Sequence, residues 1–555
     1  MFNIPTVTVA SETLGSADSS VTLDYAAPGG VSWTPRHLLV RVDAKSSEVA
    51  AVVGGRIRFN GDTGNNYSME QLYATGTSPG ATIDTSANLA FFGALDGSDS
   101  NEFGGGEFLI TDALSTRSHK SFLSMTGAGA AYVNHGAGRW ADTAAITSVT
   151  YFASSGNLAA GSTIELCVVD ESFNIDEQIK TAATGAGSFT VGSISAADGD
   201  LVCIGNVRSD REANWDAVDM KLNSDATGGN YQTQWLYAVD TGTQSYATTS
   251  SLQVADGLPD ENNAAGAFGA FVSQITNFSD GADDRVVTTF SGAHAPAVPH
   301  GEVNFIWKRW NNTSAVTTVD YEASNSSTGN FVVGSMLSTY AVPKNLITRT
   351  ELTGDTYPVT ISSIPDTYDH LELSIYAKAS VHSAVNCQIY FNGETSSDVA
   401  NYKRQLLQGR DSAVSSNTST GDATHFAVTG TDSSSTAEEF SSVTFTFYNY
   451  KKTDRFKHFL GAAGFNWNNR SNSVMRVTSG RWADTAAITS ITINPNDSGG
   501  GAKFVSGSVF TLRGISATIA PASDITKVNT IALASIQAMN GITVANAEKL
   551  NGITF

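Results

Sequence analysis

Gly138-Arg139-Trp140-Ala141-Asp142-Thr143-Ala144-Ala145-Ile146-Thr147-Ser148 recurs residue for residue as Gly480 to Ser490. Eleven identical residues in a row are not chance. A worn third copy lies between them: Arg309-Trp310-Asn311-Asn312-Thr313-Ser314-Ala315-Val316-Thr317. Arg139, Arg309 and Arg481 therefore recur at steps of about 170 residues, a domain-sized period rather than a solenoid-sized one. Further landmarks keep this frame. Upstream of each Arg-Trp stands an apolar residue and Asn, then a polar turn, then Asn-Tyr: Phe59-Asn60 with Asn66-Tyr67, Leu222-Asn223 with Asn230-Tyr231, Phe391-Asn392 with Asn401-Tyr402. Downstream of each, a hydrophobe precedes Gly-Ser: Leu158 with Gly161-Ser162, Phe331 with Gly334-Ser335, Phe504 with Gly507-Ser508.

Between the landmarks the chain alternates as strands do. Leu38, Val40 and Val42 share one face of a half-buried strand, and Ile57 and Phe59 point in while Arg56 and Arg58 point out. In the third repeat, Val443, Phe445 and Phe447 repeat the pattern. After each Arg-Trp a strand begins near Val149, Val319 or Ile491, with a bulge or strand start just before it. Eight to ten short strands per repeat, joined by Gly and Asn turns and without a long 3.6-period stripe, predict an all-β fold. It comprises three tandem antiparallel β-sandwich domains of jelly-roll type, over 1–172, 173–342 (the divergent one) and 343–517. Residues 518–555 change character. Asn529, Asn540 and Asn551 recur every eleven residues, and Asn540-Gly541 and Asn551-Gly552 signal tight turns. One or two helical turns over 532–539 and another over 545–550 are expected between them. So short an array has no core of its own and should oligomerise or dock.

The composition narrows the functional classes. Of 555 residues 41% are hydrophobic, enough for real cores. The net charge of −21 repels phosphate, so nucleic acid and anionic membranes are not the expected partners. No apolar run reaches the roughly 20 residues of a membrane helix, and no signal peptide is visible at the start. Cys167, Cys203 and Cys387 sit in strand-like contexts and read as buried free thiols of a protein made in a reducing cytoplasm.

The candidate sites divide into architecture and recognition. Arg139, Trp140, Arg309, Trp310, Arg481 and Trp482 could stack and bond a sugar. A motif kept in three repeats better fits an end plug, with the indole filling the sandwich and the guanidinium bonding loop carbonyls or Asp. Phe465-Asn466-Trp467-Asn468-Asn469-Arg470 is the best recognition loop, with Trp467, Asn468 and Arg470 as receptor contacts. Asp96 to Glu102 and Asp280 to Asp284 read as solvated turns rather than calcium loops. His294 and His300 lie in no metal-ligand spacing. No nucleophile elbow, phosphate loop or Cys-x-x-Cys is present, so neither a catalytic residue, a metal nor a cofactor is expected.

The run Phe59 to Tyr67, the run Gly480 to Ile493, and Phe504 with Gly507 to Ile515 together resemble a domain of virion structural proteins of tailed bacteriophages, many of them marine. The Asn-Gly-Ile array is similar to short repeats in such proteins. The resemblance implies a non-enzymatic virion protein made of repeated β-sandwiches, most simply a tail fibre or external appendage that presents loops for host attachment. A capsid decoration or cement protein is the alternative, and a glycan-active depolymerase is a more distant one. The partners implied are other virion proteins, a homotrimer of this chain, and a host surface glycan or protein as receptor.

Overall fold

The computed structural model describes residues 4–515 except 30, 32, 51, 89, 96–100, 130, 182–186, 196–199, 213–214, 261, 265, 277, 279–282, 296–299, 325–328, 343–346, 382–383, 422, 431–438, 466–472 and 497–500. It also describes 527–528, 531–532, 549–550 and 553–554. The protein is built almost wholly of antiparallel β-sheet. The first repeat runs β1 (Thr6–Thr13), β2 (Ser20–Asp24), β3 (Leu38–Ala44), β4 (Val53–Phe59), β5 (Tyr67–Thr75), β6 (Ser78–Ala87), β7 (Ala90–Leu95), β8 (Gly104–Thr111), β9 (Lys120–Ala128), β10 (Tyr132–Trp140), β11 (Ser148–Ala153) and β12 (Thr163–Val169). An eight-stranded sheet, β1-β12-β3-β8-β9-β10-β5-β6, packs on a four-stranded one, β2-β11-β4-β7. The second repeat, Asn174–Ile179 through Met336–Val342, has the same order in both sheets. The third, Thr348–Glu351 through Val509–Ile515, keeps it too, but a two-residue parallel contact (Lys378↔Thr429, Ala379↔Gly430) stitches its two sheets together.

Among the described residues each repeat thus has twelve strands, not eight to ten. The extra ones carry little apolar signal. β6, for example, is mostly exposed along its length, so no alternation marks it. The region read as the approach to a strand proves to hold two elements. Arg139-Trp140 closes β10, a loop follows, and β11 starts at Ser148.

Burial is also deeper than half-buried strands would give. Leu38, Val40 and Val42 do face their own sandwich core. Yet all seven residues of β3 are buried, as are all of β8, β9 and β10. The opposite face of the eight-stranded sheet supplies a second core shared by all three repeats. Leu39, Leu72, Leu123 and Val133 meet Leu236, Phe290 and Phe305 of the second repeat and Leu407, Leu460 and Val477 of the third. Residues Met1–Ala517 accordingly form one compact unit. β5 and its counterparts Tyr231–Val239 and Tyr402–Arg410 touch each other pairwise, and so do β6, Gly242–Thr248 and Ala413–Thr420. The three sandwiches lie side by side around a threefold-like axis.

Thr518–Phe555 is a separate unit. Its described residues form two short ladders, Lys527–Val528 with Ile531–Ala532 and Lys549–Leu550 with Ile553–Thr554. Leu550 lies in a strand, not in a helical turn. Ala532 and Lys549 of the expected helical turns likewise lie in strands, and the remaining residues of those segments, 533–539 and 545–548, fall outside the described residues.

The missing glycine of the second repeat has a steric cause. A Cβ on Gly138 would sit 2.5 Å from the Phe122 ring, and one on Gly480 would sit 2.2 Å from the Phe459 ring. The partner opposite the second repeat's Lys308 is Val287 rather than Phe, so a long side chain fits. Its ammonium then reaches the Ser251 carbonyl at 2.9 Å. We expect Gly480→Ala to destabilise by about 1–3 kcal/mol through overpacking. Urea denaturation checks this, and Gly480→Ala with Phe459→Val should recover most of the loss.

Candidate functional site

The two sequence landmarks of each repeat meet at one end of its sandwich. Trp140, Trp310 and Trp482 are each 1% exposed. Each indole N–H donates to an acid in the polar turn: Trp140 to Asp62 at 2.6 Å, Trp310 to Asp225 at 2.8 Å, Trp482 to Glu394 at 2.9 Å. The same acids accept from Asn66, Asn230 and Asn401. The Tyr that follows each Asn accepts a backbone N–H through its hydroxyl: Phe59 to Tyr67, Leu222 to Tyr231, Phe391 to Tyr402. Asn60, Asn223 and Asn392 sit at positive φ. Each Asn amide donates to a carbonyl of the loop after Arg-Trp, while its side-chain oxygen accepts N–H groups from the same loop. Asn suits this because it tolerates the left-handed region and offers both a donor and an acceptor. A buried cation at the start of β9 and its counterparts closes the plug from below. Lys120 bonds the carbonyls of Ser118 and Thr143, Lys457 those of Arg455 and Thr485, and Arg285 those of Asp283 and Thr313.

The arginines do something the sequence does not announce. They leave their own sandwich and enter the seams between repeats. Arg481 pairs with Glu102 of the first repeat. Arg309 pairs with Glu439 of the third at 2.8 Å and with Asp284 beside it. All these groups are buried. Glu102 and Asp284 belong to the stretches read as solvated turns. Instead they are buried counter-ions, drawn in because an unpaired buried guanidinium would be far more costly. Among the described residues no cluster of three or more His, Cys, Asp or Glu could hold a metal.

The third arginine is the odd one. Ala267 stands where the other repeats have Glu102 and Glu439, each one residue before the Phe that precedes the strand. His119 stands where Asp284 and Phe456 stand. Arg139 is 7% exposed and among the described residues meets only the His119 ring nitrogen, at 3.2 Å. Burial pushes its guanidinium down to about 10, and pushes His119 down to about 4 with the help of Arg139.

Other seam contacts run around the ring in one direction. His37 of the first repeat meets Ser338 of the second at 3.4 Å. Asp200 of the second accepts from Arg513 of the third at 3.3 Å. His370 of the third lies 3.1 Å from Glu165 of the first, and Arg455 reaches Asp43 at 2.9 Å. Where the three central hairpins converge, Gln234 donates to the Asp411 carbonyl at 3.1 Å and Gln405 to the Gly76 carbonyl at 2.8 Å. By register the third such position is Glu70, and the turn equivalent to those at Asp411 and Gly76 is the one at Asp240. Glu70 is fully buried and neither carboxyl oxygen has a partner among the described residues. Burial first, then the nearby Asp240 and Glu302, raise it to about 10.

Trp467, Asn468 and Arg470 lie outside the described residues. His294 is buried in its strand. Cys167, Cys203 and Cys387 are free and buried, and burial raises all three thiols. Clefts open on the surface of the first and second repeats. One of about 680 Å³ lies at the end of the first sandwich beside Trp33, Arg36 and Arg117. The other, about 360 Å³, lies on the second repeat beside Trp215, Trp235, Tyr246 and Glu302. No helix among the described residues is long and apolar enough to cross a membrane.

No family model matches the chain, and no curated protein matches it. Among solved structures it is similar to Pseudomonas aeruginosa OccK5 (OpdH) at 7% identity, over 80% of this chain and 98% of that one, with a TM-score of 0.09. It is also similar to the translocator domain of the autotransporter NalP from Neisseria meningitidis at 8% identity, over 83% and 89%, with a TM-score of 0.09. At such scores the likeness carries no argument about this chain.

Proposed function

We propose that this chain is a non-enzymatic structural protein of a tailed-bacteriophage virion, part of an external appendage that presents sandwich loops for host attachment. One observation supports it most. A single chain closes three sandwiches into a ring with its own central core, sealed by buried ion pairs between repeats. That construction puts residues into rigidity and display, and its most repeated polar motif is spent on the end plugs and seams. The side-by-side ring is a three-lobed block rather than a row of spacers, and this favours a second reading, capsid decoration at a threefold position. In either case one chain supplies the body that three separate protomers would otherwise assemble. Light scattering on the purified full chain is then expected to give the mass of one chain, 58.2 kDa. A stable three-chain species would restore the homotrimer expected from the resemblance. Immunogold labelling of virions is expected to mark tail appendages. Gold on the head would replace that reading with decoration, and unlabelled virions would reject both.

A further inference from the structure

The second repeat carries an aromatic-rimmed cleft. Trp215 and Tyr246 stand 40% and 54% exposed on the rim of the 360 Å³ cleft. Trp235 and Tyr237 form its floor, with Asp256 and Glu302 at one side. The Trp235 indole N–H, on a side chain 5% exposed, has no partner among the described residues. Tyr237 donates its hydroxyl hydrogen to Gln244 at 2.8 Å, which fixes the ring. Glu302 lies against Gly257, where a Cβ would come within 2.4 Å of its own, so the irregularity at Gly257 in the strand Gln253–Leu258 sets Asp256 beside Glu302. The Gly257 N–H holds Asp256 at 2.9 Å.

The counterparts differ at the residues that line this cleft. By strand register Tyr237 corresponds to Tyr73 and Gln408, and Glu302 to Tyr132 and Val474. In the first repeat Tyr73 and Tyr132 stack on each other at 5.8 Å and close the space. In the third, Leu406 and Gln408 replace the aromatic pair Trp235 and Tyr237. Among the described residues, the second repeat brings exposed aromatic faces, an indole donor without a partner and two carboxyls together around a concavity.

We infer that this cleft binds a neutral oligosaccharide, its sugar rings lying on Trp215 and Tyr246 and its hydroxyls bonded by the Trp235 N–H, Asp256 and Glu302. Aromatic faces take the apolar C–H face of a pyranose while their polar tips and the carboxyls take its hydroxyls. The volume lies at the lower end of small-ligand clefts, which are typically about 300–1,000 Å³, and suits one or two sugar rings. The net charge of −21 turns away anionic sugars. This deepens the attachment reading, on which its biological sense rests, by giving the receptor a chemical class.

The test is titration of the full chain with maltotriose, cellotriose, chitotriose and mannotriose, followed by calorimetry and tryptophan fluorescence. At least one trisaccharide is expected to bind saturably, with Trp215→Ala and Glu302→Gln each weakening it tenfold or more. Trp33→Ala, in the other cleft, is expected to change nothing. Absence of saturable binding to all four would overturn the proposal, and so would binding that survives both cleft variants. Reducing ends released during the titration would keep the site but overturn the non-enzymatic reading. Unlabelled virions would overturn the virion reading and leave the cleft standing.

Discussion

Glu70→Gln is expected to stabilise the protein at pH 7 by roughly 4 kcal/mol, to have almost no effect near pH 4.5, and to gain further as pH rises. Glu70 takes the place of Gln234 and Gln405 at the centre of the ring, where the other two donate an N–H to the next repeat's turn. An ionised carboxylate cannot donate, and here it would be fully buried beside Asp240 and Glu302. The carboxyl is therefore held in its neutral form, which can donate as the amides do. Its value of about 10 in the folded chain stands above the ordinary carboxylate range of the unfolded one. The sign follows from that order. The folded state holds a proton that the unfolded state gives up above about pH 4.3, so the stability from the neutral group is whole below that pH. It falls by about 1.4 kcal/mol per unit above it. Glutamine donates at every pH and escapes this loss. Urea denaturation of both proteins at pH 4.5, 7 and 9 measures the difference. A constant difference across the three would show that Glu70 does not titrate between the two states.

The ring itself was only partly legible in the sequence. The period, the all-β class and the faces of Leu38, Val40 and Val42 follow from spacing and alternation, because the residues that carry those signals are neighbours in the chain. The other face of the same strand was not readable. Leu39, Arg41 and Asp43 look like the mixed outer face of an ordinary sandwich, but they are buried against another repeat. Alternation tells which residues share a face, not what covers it. The end plug was visible as a conserved spacing within the chain, and its Asn, Tyr and Trp are indeed brought together. The arginine's partner was not visible, since Glu102 lies 379 residues from Arg481 and reads locally as part of a polar turn. The cleft on the second repeat was missed for a related reason. Its aromatic residues come from separate strands, and each alone looks like a half-buried strand residue. The one local signal was divergence, since the second repeat departs most from the shared pattern.

Glu102→Ala is expected to cost about 3–5 kcal/mol, whereas Arg139→Met is expected to be neutral or stabilising. The contrast isolates what the seam ion pairs do. Arg481 is 5% exposed, its guanidinium lies 5.0 Å from the centre of the Phe456 ring, and Glu102 is its one carboxylate among the described residues. Removing that acid leaves a buried charge with only an aromatic face for company, and that accounts for most of the cost. Among the described residues Arg139 already has no acid, because Ala267 and His119 occupy the two places from which acids reach the other arginines. An apolar chain of similar length fills the same space without the desolvation penalty. The two variants lie at equivalent points of the ring, so a general sensitivity of the seams would destabilise both alike. Equal losses in urea denaturation at pH 7 would mean that Arg139 has a counter-ion in solution. A loss confined to Glu102→Ala makes the junction of the first and second repeats the one seam of the ring held without a carboxylate on its Arg-Trp arginine.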